Sequence, residues 1–339
     1  MQEMFMTSST KASLTRRRFL IGSLVVPLAA AAVAACGPTA SAQPTATAVK
    51  PTELRIGYQK GGGVFLWLKN QKTLEKKFGS TVNVSWVEFS AGPPILEAMN
   101  SGTVDLGTTG ETPPIFAEAA GTPLLYVATT FGSGAGQGLL VPENSPIKAV
   151  ADLKGKKVAF NKASSAHLFI VRALEKNGLQ YTDIQPTFLA PADARAAFQG
   201  GSVDAWVIWD PYYSAAQQEL KAQVILDGKN LAQTRSYYLA SETFTKNHPD
   251  VLKSVITELQ TATTWSKTHT DDYAQVLANE TGIDVAVWKQ ALQTDNPDVT
   301  FIDDATVTYQ QQVADTFLRL GLIPNKLDIK QAAWFGDKA

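Results

Sequence analysis

The sequence predicts an α/β protein built as two lobes, and three observations carry that expectation. Strand and helix signals alternate from Leu54 to about Ser241, and strands separated by crossover helices imply mainly parallel sheets. One stretch is built twice: "SGTVDLGTTGETPP" (Ser101–Pro114) lies over "GGSVDAWVIWDPYY" (Gly200–Tyr213) without a gap, 99 positions apart. The overlay places Gly102 on Gly201, Val104 on Val203, Asp105 on Asp204 and Glu111 on Asp210. Finally, 339 residues, 45% of them hydrophobic, suffice for two domains with cores of their own.

The elements follow in order. "TRRRFLIG" (Thr15–Gly22) has paired arginines ahead of Phe-Leu and resembles a twin-arginine export signal. The apolar run Ile21–Ala35 is short for a membrane span and is broken by Pro27, as in a signal-peptide core. It ends in "VAAC" (Val33–Cys36), which resembles a lipobox in which Cys36 becomes the lipidated first residue of the mature chain. Residues 1–36 are therefore expected to be a lipoprotein signal. Residues 37–53, rich in Pro, Thr, Ala and Ser, are expected to be a flexible tether.

Beyond the tether, "LRIGYQ" and "VSWVEF" read as strands, and "AGPPILEAMNSG" as a helix opened by prolines and closed by Gly102. "VDLG", the turn "TTGE", the helix "PPIFAEAAG" and the strand "PLLYVATT" follow. After the glycine-rich "FGSGAGQG" the pattern restarts, with "LLVPENSPIKAVADLKGKKVAF" giving a strand, a short helical piece and a strand. "SSAHLFIVRALEKNG" (Ser164–Gly178) has Leu168, Val171 and Leu174 on one helical face. "QPTFLA", "PADARAAFQGG", "VDAWVIW" and "DPYYSAAQQEL" continue the alternation; "SYYLAS" reads as a return crossing, and the remainder is almost wholly helical in pattern.

The duplicated turns sit at equivalent points of the two lobes. Open α/β sheets bind ligands beyond the carboxyl ends of their strands, so Gly110-Glu111 and Trp209-Asp210 can line one cleft. Thr112 before Pro113 and Asp210 before Pro211 also make good N-cap and N1 pairs with no ligand at all.

Composition narrows the function. A net charge of -1 offers no basic stripe for nucleic acid. One cysteine, lying in the signal, leaves no thiol nucleophile in the body. His167, His248 and His269 lack metal-ligand spacing, and there is no phosphate-binding glycine motif, so no metal or cofactor is expected.

The blocks "LRIGYQK", "VSWVEFSAGPPILEAMNSGTVDLGTTGETPPIFAEAAG", "ENSPIKAVADLKGKKVAF", "LAPADARAAF" and "VDAWVIWDPYYSAA" resemble the aliphatic sulfonate-binding proteins of ABC importers. These belong to the wider nitrate, sulfonate and taurine binding family. The resemblance implies a type II periplasmic-binding-protein fold, with two α/β lobes joined by two crossing strands. Residues 54–138 would begin lobe 1, 139–237 form lobe 2, and 238–339 complete lobe 1 with C-terminal helices.

It also implies an exported, lipid-anchored monomer on the periplasmic or cell-surface side. Such a protein would pass a small organic anion to a permease and its ATPase. The implied ligand-binding residues are Gln59, Gly92, Thr109, Gly110 and Glu111 in lobe 1, and Ser164, Ser165, Ala166, His167, Trp209 and Asp210 in lobe 2. Backbone N–H groups and hydroxyls at helix N-termini would hold the sulfonate.

Blander roles stand beside these. Ser164 and Ser165 are ordinary caps, His167 can be a packed histidine, and Trp209 can be core. Glu111 and Asp210 repel an anion unless they cap helices, pair with Lys or Arg, or meet a cationic end such as that of taurine. Nitrate, taurine or a pyrimidine precursor remain alternative ligands, as does a cysteine-independent enzyme on the same fold. An adhesin or receptor domain would leave the paired turns unexplained.

Overall fold

The computed structural model describes residues 51–61, 63–231 and 234–336. The arginine pair, Cys36 and nearly all of the expected tether lie outside them.

The chain runs β1 (Thr52–Gln59), α1 (Val64–Gln71), α2 (Thr73–Phe78), β2 (Val82–Phe89), α3 (Gly92–Asn100), β3 (Leu106–Gly110), α4 (Thr112–Ala119) and β4 (Leu124–Gly132). It continues through β5 (Gln137–Val141), β6 (Lys157–Phe160), α5 (Ser165–Lys176), β7 (Gln185–Phe188), α6 (Pro191–Gln199), β8 (Ala205–Trp209), α7 (Tyr212–Glu219) and β9 (Gln223–Asp227). It closes with β10 (Thr234–Ser241), α8 (Glu242–Asn247), α9 (Pro249–Thr268), α10 (Thr270–Thr281), α11 (Val285–Thr294), β11 (Val299–Phe301) and α12 (Asp304–Arg319).

These strands form two sheets, ordered β11-β4-β10-β3-β1-β2 and β7-β6-β8-β5-β9. In the first, β1 pairs in parallel with β2 and β3, and β10 runs antiparallel between β3 and β4. In the second, β6 pairs in parallel with β7 and β8, while β5 runs antiparallel to β8 and β9. The chain crosses from the first sheet to the second between Gly132 and Gln137 and returns between Asp227 and Thr234, a few residues ahead of the expected boundaries.

Each sheet is buried on both faces, which is why its strands read as apolar runs. One core of the first sheet packs Phe65 and Leu68 of α1 against Leu252 and Leu259 of α9 and Tyr273 of α10. The other packs Ile95 of α3 and Ile115 of α4 against Val313 and Phe317 of α12. The second sheet is covered by α5 on one side and by α6 and α7 on the other.

The duplicated stretch has a physical basis. Asp105 Oδ2 accepts the Arg55 N–H (2.8 Å), and the Asp105 N–H donates to Arg55 O (2.8 Å). In the second lobe Asp204 Oδ2 accepts the Lys157 N–H (2.8 Å), and the Asp204 N–H donates to Lys157 O (2.9 Å). Each aspartate pins the start of its strand to the parallel neighbour, β1 for β3 and β6 for β8, at one register. Gly102 (φ 72°) and Gly201 (φ 68°) supply the left-handed residue in the turn that leads there.

Some elements differ from expectation. Two helices, α1 and α2, fill the stretch between the first two expected strands, β9 forms an edge strand, and β11 interrupts the helical C-terminal part. Glu111, rather than Thr112, stands at the N-cap of α4. Pro211, rather than Asp210, is the residue before α7, and the Asp210–Pro211 peptide is cis. Asp210 still caps that helix from one residue further back, because its Oδ1 accepts the Ser214 N–H at 2.9 Å.

Candidate functional site: a cleft between the two sheets

The strand ends and helix starts converge on a cavity of about 280 Å³. Lobe 1 lines it with the carboxyl ends of β1, β3 and β4 and with Thr234, Ser236 and Tyr238, alternate residues of β10 that share one face. Lobe 2 contributes Ser164, Ser165, Trp209 and Asp210. The N-termini of α3, α4 and α5 open here, through Gly92, Gly110-Glu111 and Ser164-Ser165. Three helix starts place backbone N–H groups and the positive ends of three dipoles around one small volume, an arrangement suited to an anion.

Glycine allows the close approach. A Cβ on Gly92 would come within 2.9 Å of Pro113 Cγ and 3.0 Å of Thr109 Cβ, so α3 packs against the β3–α4 turn only because that side chain is absent. A Cβ on Gly110 would collide with Ser165 Oγ of the facing lobe, and one on Gly61 would lie 2.9 Å from the Asp210 carbonyl oxygen. The lobes therefore approach closely at two points, Gly110 against the Ser165 side chain and Gly61 against the Asp210 backbone.

Polar groups are held in place around it. Gln59 Nε2 donates to Thr108 O (3.1 Å), Thr109 Oγ1 to Gly110 O (2.9 Å), and Ser164 Oγ to Asn161 O (2.6 Å). Gln310 Nε2 donates to Glu111 O (2.7 Å), fixing the turn from α12. Arg235 also lines the cavity. Its guanidinium lies 4.7 Å from the Phe131 ring centroid and donates through Nη1 to Thr306 Oγ1 (3.2 Å), while its buried Nε has no partner.

Four charged residues face the cavity: Glu111, Asp210, Asp295 and Arg235. Burial pushes the Glu111 carboxyl above the usual range, with Arg172 opposing the shift. Burial pushes Asp210 up to about 6 against the bonds from Ser214, with nearby Asp295 adding to the rise. Asp295 is also raised by burial, although the backbone N–H groups of Ser133 and Gly134 donate to it. The duplicated acids are thus desolvated carboxyls in equivalent turns.

All the residues named from the sequence line this cavity except Ala166 and His167, which are buried in the core. A helix turns about 100° per residue, so one step past Ser165 the chain faces inward, and Ala166 can offer a ligand only its backbone N–H. The His167 ring lies between Phe160 of its own lobe and Phe116 and Phe317 of the other. Its Nδ1 accepts the Ala163 N–H (3.3 Å), its Nε2 bonds the Tyr181 hydroxyl (3.0 Å), and burial pushes its pKa down to about 4. It is a neutral packing residue between the lobes.

Sequence reasoning missed Arg235, Tyr238, Tyr273, Trp288, Leu292 and Asp295, which supply the cavity's cation, much of its apolar wall and its third acid. The one sequence signal for any of them is the cation in "TRSYY", at the start of the return strand. Among the described residues, no three His, Cys, Asp or Glu side chains gather as a metal site would require. No helix among them is long and apolar enough to cross a membrane.

Comparison with known proteins agrees with this architecture. Residues 82–272 match the family model described as NMT1/THI5 like. A protein of Escherichia coli (strain K12), provisionally named an aliphatic sulfonates-binding protein, is 46% identical over 285 residues, 84% of this chain and 89% of its own length. The crystal structure of the periplasmic aliphatic sulphonate binding protein from Escherichia coli superposes with a TM-score of 0.76 at 45% identity, covering 84% of this chain and 98% of that one. The alkanesulfonate-binding protein from Xanthomonas axonopodis pv. citri bound to MOPS gives a TM-score of 0.81 at 38% identity, covering 85% and 99%.

Proposed function

The chain belongs to the NMT1/THI5-like family, and from that premise we propose that it is the extracytoplasmic binding protein of an ABC importer for aliphatic sulfonates. The convergence of the α3, α4 and α5 N-termini, drawn from both lobes, on one small cavity carries this reading. A sulfonate spreads one negative charge over three oxygens and can accept from several N–H groups at once. The remaining wall, with Trp209, Tyr238, Tyr273, Trp288 and Leu292, suits an organic substituent. MOPS, found in the Xanthomonas relative, is such a molecule: a sulfonate joined through three carbons to a ring amine.

Capture works by population shift. The ligand touches both lobes only when they are together, so it favours that state by its differential contacts. The closed protein then presents one shape to a permease coupled to a cytoplasmic ATPase. The protein performs no chemistry on its ligand. The twin-arginine stretch and Cys36 support export followed by lipid anchoring on the outer side of the membrane, with residues 37–53 as tether. One folded chain carries both half-sites, so the unit of function is a monomer.

A thermal-shift panel tests the ligand class, because a ligand that binds only the native state raises stability with its concentration. Alkanesulfonates are expected to raise the melting temperature in a dose-dependent way, while nitrate, bicarbonate and sulfate do not. Stabilisation by nitrate or a neutral heterocycle alone would overturn the assignment.

A further inference from the structure

We propose that Arg172, on α5 of lobe 2 and outside the ligand cavity, is a positioning residue for the anion site: it docks on Tyr309 of lobe 1 when the lobes meet and there neutralises Glu111, the acid in the β3–α4 turn. The inference rests on the sulfonate reading and adds how lobe closure readies that turn for a negative charge.

Glu111 sets the problem. It is buried, lines the cavity at the N-cap of α4, and adjoins Gly110, which meets Ser165 across the cleft. An ionised carboxylate there repels a sulfonate where repulsion is least screened, and a buried acid without an opposing charge is itself costly. Its carboxyl takes its own N–H and that of Arg235 as donors, which holds the ionised form without neutralising it. The charge that opposes its burial is that of Arg172.

Arg172 arrives from the facing lobe. Its Nη1 donates to the Tyr309 hydroxyl (3.2 Å), and its guanidinium lies 5.7 Å from the centroid of that ring. Tyr309 belongs to α12 of lobe 1, the helix that also fixes the Glu111 turn through Gln310. The same ring carries the Arg235 guanidinium at 5.4 Å, so it is a platform for one cation from each lobe. Arg235 has other acceptors: it bonds Thr306 and faces Asp303. The remaining titratable neighbours stay neutral, because burial pushes the Tyr237 hydroxyl far up and the Tyr309 hydroxyl up to about 12. When the lobes part, α5 takes Arg172 with it and leaves Glu111 without its cation. The seam itself does not need this arginine. Leu168 of α5 is packed into the core of lobe 1, and Glu175 pairs with Arg319 of α12 at 2.8 Å.

The test is calorimetric titration of the mature chain with pentane-1-sulfonate at pH 5 and pH 8.5. Arg172→Met keeps the stem over the Tyr309 ring and removes the charge. The sulfonate is ionised throughout, and Asp210, raised by burial to about 6, titrates in every variant, so affinities are read as ratios to wild type at each pH. At pH 8.5 Arg172→Met should bind about tenfold or more weakly, an ordinary size for coupling between two sites. At pH 5 its ratio should approach one, because loss of the cation pushes the Glu111 carboxyl further up and it is then protonated. Arg172→Lys should recover most of the affinity at pH 8.5. In a Glu111→Gln background, Arg172→Met should change affinity by less than about twofold at both pH values. Unchanged affinity in Arg172→Met, a loss equal at both pH values, or a loss that persists with Glu111→Gln would overturn this inference and leave the sulfonate reading standing. Failure of the wild type to bind any sulfonate would overturn both readings together.

Discussion

The Ser165 hydroxyl of lobe 2 occupies the space where a side chain on Gly110 of lobe 1 would begin. Gly110 is not among the residues with positive φ, so alanine there is unstrained within its own lobe and collides only across the cleft. Gly110→Ala is therefore expected to weaken ligand binding by tenfold or more while moving the ligand-free melting temperature little. Ser165→Gly in the Gly110→Ala background should recover part of the loss, and a double-mutant cycle by calorimetry reads that coupling. Independent, additive effects would contradict the close approach of the two turns.

Asp210 gives a pH-dependent signature. Its carboxyl is raised to about 6 in the folded chain, above the ordinary 3.8, so between those values the native state binds more protons than the unfolded one. Its contribution to stability is present below about pH 4 and is lost as pH rises through about 6. Asp210→Asn keeps an acceptor for the Ser214 N–H and removes the ionisation. It should be more stable than wild type at pH 7.5, by at most about 3 kcal/mol, and indistinguishable at pH 4. His167, pushed down to about 4, acts with the opposite sign, so variant and wild type are compared at each pH. Equal melting temperatures at both pH values would show that the carboxyl is not desolvated.

Trp209 ends β8 and lines the cavity at half-burial. Trp209→Ala should weaken long-chain alkanesulfonates more than short ones, because only the longer tails lose apolar contact with the indole. Each methylene that loses its burial costs about 0.8 kcal/mol. Affinity measured against chain length should flatten in the variant; parallel lines for variant and wild type would move the tail elsewhere.

Export and anchoring are separable. Cys36→Ala should release the mature chain from membranes, since stable attachment needs the several acyl chains of a lipoprotein cysteine. Replacing Arg16, Arg17 and Arg18 together with lysine should leave precursor in the cytoplasm. Membrane fractionation checks the first and precursor processing the second.

The parts of this protein legible in its sequence are those whose cause is local. The Val-Asp pairs at 104–105 and 203–204 pin parallel strands, and the glycines before them take left-handed φ, so repetition in sequence became repetition in structure. The β3–α4 turn and the end of β8 could be placed at the cleft because strand ends and helix starts are where α/β sheets bind, while the start of α5 is implied only by the family resemblance. Arg235, Trp288 and Asp295 reach the same cavity from segments far along the chain, and spacing carries no trace of which distant segments meet. Ala166 and His167 are implied by the resemblance together with Ser165, but the helical turn directs them into the core. No element is expected from the sequence between "LRIGYQ" and "VSWVEF", where "VFLWL" begins α1 and buries Val64, Phe65, Leu66 and Leu68.

The central claim is that the two lobes together bind an organic sulfonate, and calorimetric titration of the purified mature chain with pentane-1-sulfonate tests it most directly. 1-Pentanol serves as the control with the same tail and no anion. The expected result is a single saturable site at micromolar affinity or tighter for the sulfonate, and none for the alcohol. No binding of the sulfonate, alongside tight binding of nitrate or a neutral heterocycle, would contradict the account.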